Sequence, residues 1–229
     1  MIMSKEKRKH YGNRFVAMML MVVALLVTGC TEKEEVDKDW VDLGLPSGLL
    51  WATRNVGATS PEDYGDYFAW GETTPKEVYN WSTYRYCNGN YNELTKYCNM
   101  SGFGHNGFTD NLTILQPGDD AATANYGGRT PTAAEWVELM DNTTSQWTTQ
   151  NGVNGWCFTA ANGNSLFLPA AGNRLDSSLS DAGSDGVYWS SSLYDYPHHA
   201  MYFSFRFGSL GNYWYYRDVG LSVRAVCQN

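Results

Sequence analysis

The chain has 229 residues and a formal net charge of −8 at pH 7, with 15% aromatic and only 17% charged residues. Such an acidic chain argues against nucleic-acid binding and against adhesion to anionic lipid headgroups. Residues 40–229 have an even composition without a linker or a repeat. Their length suits one domain with a core of its own.

The N-terminus has the pattern of a secretory signal. A basic run at residues 5–14 precedes an apolar run at residues 15–29, which is too short for a membrane span. The apolar run ends in Val-Thr-Gly-Cys, which resembles a bacterial lipobox. Residues 1–29 are therefore expected to be a signal peptide and Cys30 to be lipidated. Acyl chains on Cys30 would anchor the protein in the membrane, since each buried methylene contributes about 0.8 kcal/mol. An ordinary signal peptide with a chance cysteine, or an uncleaved anchor helix, is the alternative.

Residues 30–39 are expected to form a flexible acidic tether, because residues 31–38 are charged and contain a single apolar side chain. Lys33, Glu34 and Glu35 resemble the signal that exports Bacteroidetes lipoproteins to the outer surface. The expected location is the outer membrane, with a lipid anchor and the domain exposed at the cell surface. A plain solvated spacer would leave a periplasmic orientation open.

The first predicted elements are short. Residues 41–57 predict two strands around a Pro-Ser-Gly turn. Residues 119–126 predict a short helix with acidic residues at its start. Residues 130–142 predict a better-defined helix, in which Thr132 and Glu135 form a capping box.

The second half of the chain predicts mainly strands. Residues 156–172 predict a hairpin with Asn162 and Gly163 in its turn. Further strands are predicted at residues 186–193, 200–207 and 221–226. Helices that come early and strands that dominate the end indicate the α+β class.

Four cysteines remain besides the lipobox cysteine, and an even number in an exported domain suggests two disulfide bonds. Cys87 and Cys98 bracket a polar segment that can close as a loop, so they are expected to pair. Cys157 and Cys227 would then pair, which constrains a longer loop and stabilises by roughly 4 kcal/mol. Metal binding is the rival interpretation, but no Cys-x-x-Cys or histidine spacing supports it.

Seven stretches carry a resemblance to a known family. They are DLGLPSGLLWATRNVGA, YFAWGE, DDAATANYGG, PTAAEWVEL, NGNSLFLPAAG, YWSSS and SVRAV, in this order between residues 40 and 227. Together they resemble the Fibrobacter succinogenes major paralogous domain of Bacteroidetes lipoproteins. The resemblance implies a C-type-lectin-like fold of the variety shared with formylglycine-generating enzyme, with two short helices and several short antiparallel strands. It implies no activity, because fold alone does not specify function.

Aromatic and glycine positions within these stretches have a structural interpretation. The tryptophans are expected to anchor the core, and the glycines to form turns. These residues are Trp51, Trp70, Trp136 and Trp189, and Gly71, Gly127 and Gly172.

No enzyme signature stands out, and the chain is predicted not to be an enzyme. The cysteines do not match the copper-binding pair of formylglycine-generating enzymes, and no serine lies in a nucleophile elbow. Paired carboxylates could come from four aspartates, although no spacing selects a pair. These aspartates are Asp119, Asp120, Asp181 and Asp185. A glycan-processing enzyme with a site around Asp119 and Asp185 stays open as an alternative.

No metal site or cofactor is predicted. The segment at residues 175–185 is rich in carboxylates and hydroxyls but lacks EF-hand spacing. His198 and His199 lie near Asp195, but adjacent residues of a strand point to opposite faces.

A row of four aromatic residues at 213–216, between glycines, is the most unusual stretch of the chain. Upstream of it, Ala200, Phe203, Phe205 and Phe207 form a spaced apolar frame. The residues between and around the frame are predicted to bind a ligand. They are Tyr194, Asp195, Tyr196, His198, His199, Tyr202, Ser204, Arg206, Asn212, Tyr213, Tyr215, Tyr216 and Asp218. Ser209 and Gly211 lie between and around the frame in the same way.

Two observations support a binding surface. In domains that resemble this one these positions are often Asn, and each residue can be reached from an AAY codon by changing adenines alone. This pattern resembles the targets of diversity-generating retroelements. Independently, Tyr and Trp provide rigid contact area, while Ser, Gly and Asn provide adaptable hydrogen bonds, as in antibody paratopes. Tyr213 and Tyr215 are expected to face solvent, and Trp214 to pack partly on the frame.

The predicted function is that of a non-enzymatic surface lipoprotein that binds an unidentified protein or glycan through residues 194–218. A structural surface lipoprotein without a specific ligand is one alternative, and a glycan-processing enzyme is the other.

Overall fold

A computed structural model describes residues 39–229, and all of them belong to one compact unit. The expected signal peptide, Cys30 and residues 31–38 of the tether lie outside the described residues. The elements, in chain order, are β1 (Trp40–Asp42), β2 (Leu49–Asn55), α1 (Ala121–Tyr126), α2 (Ala133–Asp141), β3 (Thr143–Gln150), β4 (Val153–Ala160), β5 (Ser165–Pro169), β6 (Asn173–Leu175), β7 (Ser178–Ser180), β8 (Asp185–Leu193), β9 (His199–Arg206), β10 (Ser209–Tyr216) and β11 (Arg224–Gln228).

The strands form three small antiparallel sheets and one two-stranded ribbon. The sheet orders are β1-β2-β11, β3-β4-β5 and β10-β9-β8, and β6 pairs with β7. The last strand pairs with β2, so the chain end closes on the start of the domain. Antiparallel sheets with two short helices confirm the predicted α+β class.

One half of the core is built around Trp136 of α2. Its ring stacks on Phe203 at 4.6 Å between centroids and 7° between planes, and it lies 4.9 Å from the ring of Trp51. The capping box of α2 is present as expected. The backbone N–H of Thr132 donates to Oε2 of Glu135 (2.8 Å), and the backbone N–H of Glu135 donates to Oγ1 of Thr132 (3.3 Å). Local capping and tertiary stacking thus fix the helix in one position.

The other half of the core contains Trp70 and Trp189, the other two of the four tryptophans predicted to anchor the core. The indole N–H of Trp70 donates to the carbonyl of Ser190 (2.8 Å), and that of Trp189 donates to the carbonyl of Phe68 (2.8 Å). Both rings are buried, and each bond satisfies a polar group that burial would otherwise penalise. The expectation that four tryptophans anchor the core is confirmed.

The predicted turns also have the expected backbone. Gly71, Gly127 and Gly172 have positive φ angles of 85°, 83° and 67°. At Gly172 a Cβ atom would lie 2.1 Å from the carbonyl oxygen of Ser180, so only glycine fits this turn. The predicted hairpin is formed by β4 and β5, with Gly163 at φ 87°.

Strand β3 was not predicted. Its sequence, TTSQWTTQ, lacks the apolar alternation that indicates a strand. Asn151 and Gly152 follow it with positive φ angles of 48° and 84°, which a type I′ hairpin turn requires. This turn and the partner strand β4 determine the conformation of β3.

The two expected disulfide bonds are absent from the structure. Cys87, Cys98 and Cys157 are free thiols. The thiol of Cys87 donates to the carbonyl of Trp81 (3.1 Å), and that of Cys98 donates to the carbonyl of Met100 (3.2 Å). The bracketing of a loop by two cysteines was therefore not sufficient to pair them, since pairing also needs their Cβ atoms to face each other.

Among residues 39–229, no helix has the length and apolar character needed to cross a membrane.

Candidate functional site

The aromatic row forms the second half of strand β10, which pairs with β9 in a hairpin. Arg206 is opposite Ser209, and Tyr202 is opposite Tyr213. Because side chains alternate along a strand, the hairpin presents two different faces. One of them, here called the tyrosine face, consists of Tyr202, Ser204, Arg206, Ser209, Gly211, Tyr213 and Tyr215. The other, here called the histidine face, includes His199, Trp214 and Tyr216.

The core holds the hairpin rigidly. Phe203 and Phe205 of β9 are buried, and Gly186 of β8 leaves room for the Phe205 ring, which a Cβ atom there would approach to 2.0 Å. The frame predicted from sequence is correct at Ala200, Phe203 and Phe205. It is wrong at Phe207, whose side chain is 80% exposed because it lies in the turn between β9 and β10.

The tyrosine face is an ordered array of rings beside a shallow concavity. The Tyr202 ring lies 5.9 Å from the rings of both Tyr213 and Tyr215. The concavity encloses about 250 Å³. Every lining residue carries a polar group; the lining consists of Asp185, Tyr202, Ser204, Arg206, Ser209 and Tyr213. Sequence reasoning missed Asp185 as part of this surface; its place opposite Arg206 in the β8–β9 register brings it there.

The phenols of Tyr202 and Tyr215 are neutral hydrogen-bonding groups. Burial raises the pKa of Tyr202 and of Tyr215 above the usual value for a tyrosine. Both rings pack against the core, whereas Tyr213 is 46% exposed. The expectation of solvent exposure is thus correct for Tyr213, but Tyr215 is half-buried.

Arg206 is the exposed cation of the tyrosine face, and it forms no ion pair within residues 39–229. An unpaired guanidinium beside hydroxyl groups provides donors for a ligand carboxylate or for sugar hydroxyls.

The histidine face is a packed aromatic cluster. Trp214 lies 4.8 Å from the His199 ring and stacks on Tyr194 at 5.4 Å, and Tyr216 stacks on His199 at 4.6 Å. Trp214 is 50% exposed, and the rings that it contacts are those of His199 and Tyr194. The expectation that it packs partly on the apolar frame stays a prediction.

His199 itself is a buried part of the scaffold. Burial, with a smaller effect of neighbouring His198, lowers its pKa to about 4, so it is neutral at physiological pH. The two imidazole rings lie 4.0 Å apart, because His198 precedes β9 and the strand alternation does not separate them. Within residues 39–229, no three His, Cys, Asp or Glu side chains are grouped as metal ligands.

Other predicted ligand residues divide between surface and scaffold. Asp195 and Tyr196 are exposed, as expected. The amide of Asn212 donates to the carbonyl of Ala133 (2.8 Å), which ties β10 to the start of α2. Asp218 is buried, and burial raises its pKa to about 6. Asp218 and His199 therefore have little surface exposed to a ligand.

Arg217 is a structural residue that sequence reasoning missed. Its buried guanidinium donates to the carbonyls of Tyr97 (3.0 Å) and Pro197 (2.6 Å) and to the hydroxyl of Tyr84 (2.9 Å). It also lies over the Trp70 ring, 5.1 Å from the centroid. Arg217 thus fixes the loop at Tyr196 beside the end of β10. The aromatic row thus lies in a partly exposed strand, and the Arg217 and Asp218 that follow it are buried and hold the end of that strand against the core.

The carboxylates of the enzyme alternative are engaged in the scaffold. Asp119 is buried and accepts hydrogen bonds from the hydroxyls of Tyr86 and Tyr97 and from Lys96, each at 2.5 Å. Burial alone would raise its pKa, but these donors outweigh burial and keep the pKa below its usual value.

Asp120 is likewise engaged. It accepts bonds from the backbone and hydroxyl of Thr130 (2.8 and 2.6 Å) and caps α1 at Ala122 (2.9 Å). Asp185 lines the tyrosine-face concavity, whereas Asp119 lies within the core beneath other residues. This arrangement does not support a carboxylate pair flanking a substrate.

A larger cleft of about 470 Å³ lies elsewhere and includes Lys76, Glu77 and Arg174. Side chains of both charges line this cleft, so it does not select a ligand of one charge. The ammonium group of Lys76 already donates to the carboxylate of Glu72 (2.9 Å). We regard the tyrosine face as the better candidate, since its polar side chains are rigidly supported and face outward.

Comparison of the chain with protein-family models, with curated proteins and with solved structures gave no match.

Proposed function

We propose that this chain is a non-enzymatic lipoprotein of the outer membrane, anchored through Cys30, that displays the tyrosine face to a protein or glycan ligand at the cell surface. The observation that carries this proposal is the array of three tyrosine rings on one face of the hairpin, two of which, Tyr202 and Tyr213, line a concavity. The domain is proposed to have a C-type-lectin-like fold, as the family resemblance implies.

The chemistry of the face supports binding more than catalysis. Tyrosine rings present a large contact area with only two rotatable bonds, so ordering them on binding costs little entropy. Ser204, Ser209 and Arg206 add donors and acceptors around the rings. The most plausible catalytic carboxylate, Asp119, already accepts three hydrogen bonds from the scaffold.

Some positions carry residues that can be reached from an AAY codon by changing adenines alone, and their distribution supports diversification by a retroelement. The tyrosine face contains seven of these positions, whereas the buried frame residues Phe203 and Phe205 alternate with them on the same strand. Tyr202 and Tyr215 of this face pack against the core, whereas changes at its other five positions leave the core intact. A near-repeat of the codons for residues 190–226 in the flanking DNA, differing only at adenines and adjacent to a reverse transcriptase gene, is the expected finding. Flanking DNA without such a repeat would remove retroelement diversification from the proposal.

Binding is tested with the full chain in detergent on arrays of glycans and of peptides. We expect at least one class of probe to bind, and Tyr202→Ala/Tyr213→Ala to weaken that binding by roughly thirtyfold or more, the effect of losing a hot spot of about 2 kcal/mol. Tyr91→Ala is the matched control, because Tyr91 is 45% exposed and lies outside the tyrosine face.

Two results would contradict the proposal. Equal loss for both variants would mean that binding is unspecific, and loss for Tyr91→Ala alone would move the site to the other aromatic surface. If no probe binds at any concentration, the structural lipoprotein becomes the better interpretation.

A further inference from the structure

The cleft of about 470 Å³ lies beside the β6–β7 ribbon, where Arg174 of β6 and Ser177 contribute to its wall. Its volume falls within the range of roughly 300–1,000 Å³ that small-molecule sites occupy. It shares no lining residue with the concavity of the tyrosine face. The cleft is therefore a second, separate place at which a ligand can bind.

Three charged side chains of this cleft are not neutralised by the protein. They belong to Asp66, Glu77 and Arg174, and within residues 39–229 none of them forms an ion pair. The fourth charged group, the ammonium of Lys76, is matched by the carboxylate of Glu72 at 2.9 Å. Groups of opposite sign thus line one cleft without pairing with each other, so all three are available to a ligand.

Arg174 is held in a fixed position. Its backbone N–H donates to the carbonyl of Gly220 (2.8 Å), and its carbonyl accepts from the N–H of Gly220 (2.9 Å). Its guanidinium lies over the ring of Tyr67, 5.2 Å from the centroid. The Tyr67 ring is buried, and its hydroxyl donates to the carbonyl of Ala171 (2.5 Å). A guanidinium supported in this way loses little further freedom when it binds a ligand.

The segments that carry the two carboxylates are also fixed. Lys76, the neighbour of Glu77, is bonded through its ammonium to Glu72, and its backbone N–H donates to the hydroxyl of Tyr79 (3.1 Å). On the other side, a Cβ atom at Gly57 would collide with the carboxylate of Asp66, so glycine at that position leaves room for it. The scaffold thus holds both acidic residues at the cleft.

We propose that this cleft binds a free α-amino acid with an apolar side chain, its carboxylate on Arg174 and its ammonium group against Asp66 and Glu77. A planar guanidinium matches a carboxylate with two parallel hydrogen bonds, and an ammonium group has three donors for carboxylate oxygens. Pro75 and the Tyr67 ring supply apolar surface for the side chain.

The balance of charge favours a zwitterion over a ligand with a single charge. A lone carboxylate would match Arg174 but would face Asp66, Glu77 and the net charge of −8 of the chain. A lone ammonium group would leave the guanidinium unmatched. A zwitterion carries no net charge, so the acidic protein does not repel it, and it satisfies both kinds of group. This inference does not depend on the function proposed for the tyrosine face.

A series of three ligands tests the proposal on the unmodified full chain in detergent by titration calorimetry. The probes are L-phenylalanine, 2-phenylethylamine, which lacks the carboxylate, and 3-phenylpropionate, which lacks the ammonium group. We expect a Kd for phenylalanine of about 1 mM or tighter and at least about tenfold weaker binding of each analogue, because each loses one charge-assisted contact. Equal affinity for phenylalanine and either analogue would overturn the proposal, as would the absence of saturable binding of both L-phenylalanine and L-leucine.

Variants assign the two contacts. Arg174→Gln should weaken phenylalanine binding about tenfold and leave 2-phenylethylamine binding unchanged, since only the carboxylate contact is lost. Glu77→Gln should weaken phenylalanine binding and leave 3-phenylpropionate binding no weaker. Arg85→Gln is the matched control, because Arg85 is exposed and lies outside the cleft. Equal loss for Arg174→Gln and Arg85→Gln would contradict the site, and the ligand series tests it even if Arg174→Gln fails to fold.

Discussion

Removing the Trp136 side chain should destabilise the domain far more than removing the Tyr213 side chain, although both residues are large aromatics. Trp136 is fully buried and stacks on Phe203 at 4.6 Å, next to Trp51 at 4.9 Å. Its indole N–H donates to the carbonyl of Trp189 (3.3 Å). Trp136→Ala leaves a cavity at this centre, and such a change costs about 3–5 kcal/mol of the free energy of unfolding.

Tyr213 has a different environment. Nearly half of its side chain is exposed, and its ring contacts Tyr202 at the surface. Tyr213→Ala therefore creates no closed cavity and should cost about 0.5 kcal/mol or less, the typical range of surface substitutions.

Thermal melting of the full chain, followed by circular dichroism, checks this difference. For a domain of this size about 1 kcal/mol corresponds to roughly 2–4 °C, so Trp136→Ala should lower Tm by about 6–20 °C and Tyr213→Ala by about 2 °C or less. If Tyr213→Ala melts as early as Trp136→Ala, the tyrosine face belongs to the core. The assignment of that face as a binding surface would then lose its structural basis.

Three further outcomes are expected. Cys30→Ala should release the protein from the membrane fraction, and unchanged fractionation would contradict the lipid anchor. Protease added to whole cells should digest the anchored wild-type domain, and full protection from the protease would contradict the outward orientation. Alkylation of the denatured, unreduced protein should label Cys87, Cys98 and Cys157, and a cross-linked peptide joining Cys87 to Cys98 would contradict the free thiols. Because burial raises the pKa of Asp218 to about 6, the folded state binds this proton more tightly than the unfolded chain, and stability falls as the pH rises from about 4 to above 6. Asp218→Asn should therefore raise Tm relative to wild type more at pH 7.5 than at pH 4, and an equal effect at both values would refute the titration.

Local signals in the sequence were sufficient for several elements. The capping box of α2 is formed by residues three apart, and the β4–β5 hairpin turns at an Asn-Gly pair, so both follow from chemistry within a few residues. The four tryptophans could be assigned to the core because rings of that size are seldom left in water unless they serve a function. The spacing of Phe203 and Phe205 likewise indicated which face of β9 is buried.

Contacts between distant segments decided the rest. Strand β3 has no apolar alternation, and its conformation depends on the ladder with β4. Trp214 contacts the rings of His199 and Tyr194, a proximity that depends on the β9–β10 pairing. Asp218 follows an exposed strand in sequence, yet the chain turns inward at Arg217 and buries it.

The candidate site shows the same division. The sequence by itself indicated that residues 194–218 are rich in groups suited to binding, because amino-acid composition is a property of the chain alone. Only the tertiary structure separated Tyr202, Ser204, Arg206 and Tyr213 from the buried His199, since the face on which a side chain lies depends on strand pairing. The same pairing brought Asp185 of β8 beside Arg206, a proximity between residues 21 positions apart that no local pattern encodes.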